Sequence, residues 1–349
     1  MIDWILTQFP DSILGYIIIC AVPLLFILPY AIVTIYLEMK MSAHMQDRVA
    51  YMRTGWHGTL QPFADILKLL QKEDIIPTAA DKFLFILAPY IVFIGTYATF
   101  AVLPFTSSYI GSDLDLGLFY LVAVSSLVVV GILMSGWASN NKWSLFGALR
   151  SAAQIVSYEI PTALVLLSIV MIAGTMNMQQ LSQLQSGGIS DWYIFGGPFP
   201  IVKKLLLLPL MFILFLVQLT ASMAEVNRTP FDIPEAESEL VQGYNTEYSG
   251  MKFAIFYLAE YANLFAVSAI TVVAFFGGWG SPFGSFMSGG VWDLFWFVLK
   301  GMFFVSINIW LRWTLPRLRV DQLMYVSWKV LTPFALVCMI LIGYILVAF

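Results

Sequence analysis

Residues 203–277 read KKLLLLPLMFILFLVQLTASMAEVNRTPFDIPEAESELVQGYNTEYSGMKFAIFYLAEYANLFAVSAITVVAFFG. Two apolar runs, each close to the ~20 residues a helix needs to cross the hydrocarbon of a bilayer, enclose a polar insert from Ala224 to Gly250. The insert carries six carboxylates, Glu225, Asp232, Glu235, Glu237, Glu239 and Glu247, against one base, Arg228. Acids in or beside a bilayer are costly, so an unbalanced group of them needs a reason. Four fall between positions 232 and 239. Folded close together they cannot all ionise cheaply, so some pKa values rise and the group can exchange protons near neutral pH. The same pattern also fits a helix N-terminus, with Pro234 in the first turn and acids favoured by the helix dipole.

Composition agrees with the apolar runs. Of 349 residues 60% are hydrophobic and 11% charged, with a mean hydropathy of +0.84. A soluble domain is about 25% charged, so the chain is an integral membrane protein. No basic region precedes the first apolar run, which is long enough to span, and no secretory signal is expected. Cys20 and Cys338 stand alone in apolar segments, and His44 and His57 both fall in the first loop. None has companions at ligand spacing, so no iron–sulfur cluster, zinc or haem of the chain's own is expected.

Eight runs are long enough to span, near 13–37, 83–105, 116–138, 158–176, 203–223, 253–277, 294–314 and 329–348. Basic residues set the orientation. The odd-numbered loops hold 14 of the 17, and only Lys203, Lys204 and Lys300 fall on the other side. Odd loops therefore face the cytoplasm, in the bacterial inner membrane, and both termini face out. Trp137, Trp143, Trp310, Trp313 and Trp328 at inner boundaries, with Trp279, Trp292 and Trp296 at outer ones, form the aromatic belt. The fold class is an all-α membrane protein, a single polytopic domain over 1–349. It is a bundle of eight transmembrane helices with amphipathic interfacial helices on the cytoplasmic side.

The first loop, 38–82, contains one such helix at 60–72. Phe63, Ile66, Leu67 and Leu70 share one face, and Gln61, Asp65, Lys68 and Lys72 take the other. The third loop is also helical in character, placing Arg150, Gln154, Tyr158 and Glu159 on one side. Glu159 then lies at the mouth of the fourth span. Glu225 ends the fifth span, and the acidic fifth loop runs over 224–252. Glu260 lies two turns into the sixth span, roughly 12 Å deep at 1.5 Å per residue, where an ionisable group is a functional candidate. Lys252, eight residues back, is too far along the helix to neutralise it. Residues 177–202 read as a plain external connection.

Gly-rich phosphate loops, dinucleotide fingerprints and nucleophile–base pairs are missing, and nothing points to nucleic acid. Carboxylates, arginines and tyrosines gathered at the cytoplasmic side suit a proton relay. They also suit the head group of an amphiphile whose tail lies in an apolar tunnel. Electrons would come from a partner protein, for which the large polar loops offer a docking surface. A secondary transporter would carry acids at the midplane of several helices and an inverted repeat; the chain shows neither.

These residues resemble a known family. AEVNRTPFDIPEAESELVQGYNTEYSGMKFAIFYLAEY at 224–261 is similar to the signature of the quinone-chamber membrane subunit of respiratory complex I, the proton-pumping NADH:quinone oxidoreductase. LQPFADILKLLQKEDIIP at 60–77, NNKWSLFGALRSAAQIVSYE at 140–159 and RWTLPRLRVDQLMYVSWK at 312–329 resemble three further family segments. The resemblance implies a subunit at the junction of the membrane and hydrophilic arms, forming the entrance and chamber for a quinone, ubiquinone or menaquinone. FMN and the iron–sulfur clusters would belong to partner subunits. Glu159, Glu225, Glu235, Glu237, Glu239 and Glu260 match the family's charged funnel, a proton relay coupling quinone reduction to pumping. Glu38, Lys40, Arg48, Phe63, Asp65, Arg228, Phe231 and Asp232 match positions around the chamber, and Arg312, Arg317 and Arg319 the seventh-loop basic set. The usual Glu-Arg-Lys reads Glu38, Met39, Lys40 here, and the rigid Gly-Pro turn after Arg48 is replaced. The related alternative is the membrane anchor of an energy-converting hydrogenase.

Overall fold

The computed structural model describes residues 13–234, 236–284 and 286–348, with side chains from 21 onward except those of 237 and 238. Among them, eight helices are long and apolar enough to cross a membrane. They are α1 (Ile13–Met45), α3 (Lys82–Thr99), α4 (Gly117–Ala138), α5 (Lys142–Ala173), α7 (Ile201–Glu225), α9 (Gly250–Phe275), α10 (Val291–Thr314) and α11 (Val320–Ala348). Three shorter helices join them: α2 (Gln61–Gln71), α6 (Met178–Leu184) and α8 (Glu237–Leu240). The described residues contain no strand, only an isolated bridge between Pro104 and Ile110.

Helix starts follow local chemistry. Asp81 caps α3 through the amides of Phe83 and Leu84, and Asn141 caps α5 through that of Trp143. Each side-chain oxygen satisfies donors that a helix N-terminus leaves free. The α5 helix ends at Gly174, whose φ of +72° suits a left-handed cap. Most spans bury one face and expose apolar residues on the other. The α9 helix differs: 83% of its apolar window is buried, so it is the central post. It packs on α3, α10, α1, α7 and α2. Its run of small residues, Ala259, Ala262, Ala266 and Ala269, lets neighbours approach closely, as membrane helix interfaces require.

Four boundaries differ from expectation by six residues or more. The first span runs on to Met45 rather than ending near 37, and the second stops at Thr99 rather than 105. The fourth span does not begin near 158. Lys142–Ala173 is one continuous helix of 32 residues, so the third-loop segment is its N-terminal extension. The eighth begins at Val320 rather than 329, with a π-helical turn at Val326–Leu331. The 177–202 segment is not a plain connection. Buried Gln185 accepts from the amides of Tyr193 and Gly277 and donates to the carbonyl of Val273, fastening the segment to the C-terminal end of α9.

Candidate functional site: a buried carboxylate–arginine cluster

The N-terminal extension of α5 is the platform for the fifth loop. Asn141 donates to Glu247 at 2.6 Å, Ser144 to the Tyr244 carbonyl at 3.2 Å and Arg150 to Glu239 at 2.6 Å. Gln154 Nε2 lies 2.8 Å from the carbonyls of Ala224 and Phe231 and 3.0 Å from Asn227 Oδ1. One amide thus fixes the turn that leaves α7. Asn227 occupies that turn at φ +52°, a conformation asparagine tolerates better than most side chains.

That turn aims Arg228 into the bundle, where it is 4% exposed. Its guanidinium donates to Glu38 Oε2 at 2.7 Å and forms an ion pair with Glu260 Oε1 at 2.9 Å. Its carbon lies 4.8 Å from the centre of the Tyr261 ring. The Tyr261 hydroxyl donates to Glu38 at 2.9 Å, and Arg312 donates to the other Glu38 oxygen. Glu38 comes from α1, Glu260 and Tyr261 from α9, Arg312 from the end of α10, and Arg228 from the loop. Nearby, Arg317 donates to Asp232 at 3.1 Å. Three arginines therefore face three acids. Burial removes solvation from Arg228, yet Glu260 and Glu38 hold its pKa well above the ordinary arginine value. Burial pushes the Asp232 carboxyl above its usual range, against the pull of Arg317 and Arg312.

A second pair of acids lies beyond the cluster, without ion-paired bases among the described residues. Glu225 accepts from Thr162 Oγ1 at 2.8 Å. Glu159 Oε1 is buried with no hydrogen-bond partner among the described residues. Both line a cavity of about 30 Å³ with Asn263, Ser125 and apolar residues of α4, α5 and α9, room enough for water. Asn263 is three residues beyond Glu260, so cluster and cavity follow one another within about a turn of α9.

The comparisons with known proteins bear on what this arrangement serves. The model of the NADH dehydrogenase family matches residues 17–343. A protein of Chlorobaculum tepidum, named as the H-type subunit of NADH-quinone oxidoreductase, is 55% identical over 339 residues, 94% of this chain and 91% of that one. The chain belongs to the family of H-type subunits of NADH-quinone oxidoreductase. The likeness reaches other bacterial branches of the family. The H-type protein of Anaeromyxobacter dehalogenans is 46% identical over 90% of this chain and 78% of its own. That of Phocaeicola vulgatus is 42% identical over 99% and 95%. With eight apolar helices, this member of the family is a multi-pass bacterial membrane protein.

The residues singled out from the sequence separate into groups. Glu38, Arg228, Asp232 and Glu260 meet in or beside the cluster with Arg312 and Arg317. Phe231 packs edge-on against Tyr158 at 5.3 Å between ring centres. Glu159 and Glu225 share the cavity. Glu260 is paired, but with Arg228 rather than Lys252, which bonds Asp74 at 2.9 Å instead. The acids of 232–239 do not form one close group among the described side chains: Asp232 turns to Arg317, while Glu239 is 57% exposed on Arg150. Glu235 and the side chain of Glu237 lie outside the described residues. Phe63 and Asp65 are exposed on α2, Asp65 accepting from Gln61. Lys40 and Arg48 line a separate pocket, and the Arg319 amide donates to Gln322.

Sequence reasoning missed Tyr261, Thr162 and Asn263. A signal for two of them existed: Thr162 is one turn past Glu159 and Asn263 one turn past Glu260, so each polar residue extends an acid's own helix face.

Proposed function

We propose that the chain is the part of NADH-quinone oxidoreductase that forms the quinone access tunnel and chamber, and that passes protons inward through Glu260, Glu225 and Glu159. The observation that carries this is the contrast between neighbours. The Glu38–Arg228–Glu260–Arg312 cluster is charge-balanced, while Glu159 and Glu225 share a cavity with no cation in contact among the described residues. Burying an uncompensated charge there is costly, and Glu225 also ends α7, where the helix dipole disfavours an anion. These two acids therefore have the labile proton a relay needs. The balanced cluster, within a turn of α9, can transmit a change of charge at the quinone head group to them.

The quinone tail reaches the bundle beside α1, α2 and α9; α2 packs on both of the others, and its apolar face is exposed. Glu38, Arg228, Phe231 and Asp232 form the membrane-side wall of the chamber. Reduction occurs in partner subunits holding FMN and iron–sulfur clusters, and translocation belongs to the assembled complex, not to this chain alone. The loops bearing α2 and α8 face the cytoplasm.

The test is proton-coupled quinone reduction by complexes carrying Glu159→Gln, Glu225→Gln or both. With the full set of subunits intact, we expect turnover to fall ~10-fold or more, the scale of losing a positioned proton carrier. Wild-type coupled turnover in the double variant would remove the relay.

A further inference from the structure

A second polar site lies on the opposite face of α1 from Glu38. Its pocket, about 520 Å³, is lined by Tyr36, Lys40, His44, Asp47, Arg48 and His57, among others. It shares no residue with the buried cluster. Lys40 and Arg48 share its lining with Asp47, and Asp65 of α2 lies within electrostatic reach of nearby Tyr51. The cations keep donors to spare. Lys40 Nζ gives two hydrogens to the Tyr51 carbonyl at 3.0 Å and Met52 sulfur at 3.3 Å. Arg48 uses Nε for Gln46 at 2.5 Å, and its terminal nitrogens take no partner among the described residues. Neither imidazole makes a hydrogen bond among them.

The position along α1 says what such donors face. Leu25, Pro29 and Val33 form the exposed stripe of α1, Leu25 at 75%. At helical spacing the same stripe continues through Tyr36, Lys40 and His44 into the pocket, with Asp47 in the turn just past the helix. Apolar side chains crowd the rim, with Val49 77% and Trp56 80% exposed, as expected at a bilayer surface. An acyl chain lying on Leu25–Val33 would bring its head group to Lys40 and Arg48. A guanidinium beside an ammonium suits a phosphate diester, and basic pockets at the membrane surface hold anionic head groups.

We propose that this pocket binds the phosphate of an anionic phospholipid whose tail covers the outer stripe of α1. The site is independent of how the buried cluster is used.

The test uses the whole complex in nanodiscs of phosphatidylcholine doped with phosphatidylglycerol. Retained lipid is counted by mass spectrometry after washing with and without inorganic phosphate. Wild type retains phosphatidylglycerol above the supplied ratio, and the phosphate wash leaves it in place. K40Q and R48Q each weaken retention about fivefold, and together ~20-fold or more. K40R with R48K stays near wild type, as does K203Q with K204Q. Unchanged retention in K40Q/R48Q would overturn the proposal. Displacement by inorganic phosphate would overturn its lipid source. A carbodiimide cross-link from Lys40 to a carboxylate of another protein of the complex would overturn it in favour of a protein occupant.

Discussion

Arg228 is the residue on which the buried cluster closes. It touches Glu38 and Glu260 at once, so removing it leaves Glu260 without its ion pair and Glu38 with Arg312 alone. We expect Arg228→Met to cost ~3–5 kcal/mol, the scale of breaking a buried pair from one side, and to appear as loss of this chain from the purified complex. Arg228→Lys keeps a charge but cannot serve both acids in fork geometry, and should assemble with a lowered melting temperature. Glu239 makes the opposite case. Its pair with Arg150 is largely exposed, and such pairs contribute ~0–1 kcal/mol. Glu239→Gln should leave assembly and turnover near wild type, which a rate comparison with Glu225→Gln will show. At this scale the sequence was half legible. The depth of Glu260 followed from helical rise, but its partner did not. Arg228 lies 32 positions away, and only the turn fixed by Gln154 aims it inward.

Among the elements, α5 and α9 decide how the loops sit. The first turns of the long α5 hold the fifth loop, which lies close against Gly147. A Cβ there would lie 2.6 Å from Gly243 Cα and 2.8 Å from the Tyr244 nitrogen. Gly147→Ala should push the loop away at ~1–3 kcal/mol, measured as faster proteolysis between 226 and 249. At the opposite end of the bundle, Lys300 donates to the carbonyls of Phe276, Gly278 and Gly280 at 2.8, 3.1 and 2.6 Å. It satisfies groups beyond the C-terminus of α9. Lys300→Met leaves them unpaired at ~1–3 kcal/mol, and we expect faster thermal inactivation with quinone affinity unchanged. In the sequence Lys300 read only as one outer-side base. Its role depends on three glycine-rich backbone groups that no periodicity reveals. The extent of α5 was legible only in part: the third loop already had helical character, but its polar first half gave no sign that it runs on unbroken into the fourth span.

For the whole molecule, the eight spans were legible because hydrocarbon thickness and backbone hydrogen bonding leave so few solutions. The division of acids into a balanced cluster and an unbalanced pair was not, because it depends on which helices become neighbours. Orientation can be checked directly. In right-side-out vesicles an impermeant thiol reagent should label Ser190→Cys and spare His57→Cys; the reverse pattern would invert the topology. The central claim is that Glu159 and Glu225 change protonation when the quinone is reduced. The direct measurement is the reduced-minus-oxidised infrared difference spectrum of the complex in the carboxylic C=O region. The account predicts a band in wild type that is lost or shifted when Glu159 and Glu225 are both glutamine. An identical band in that double variant would contradict it.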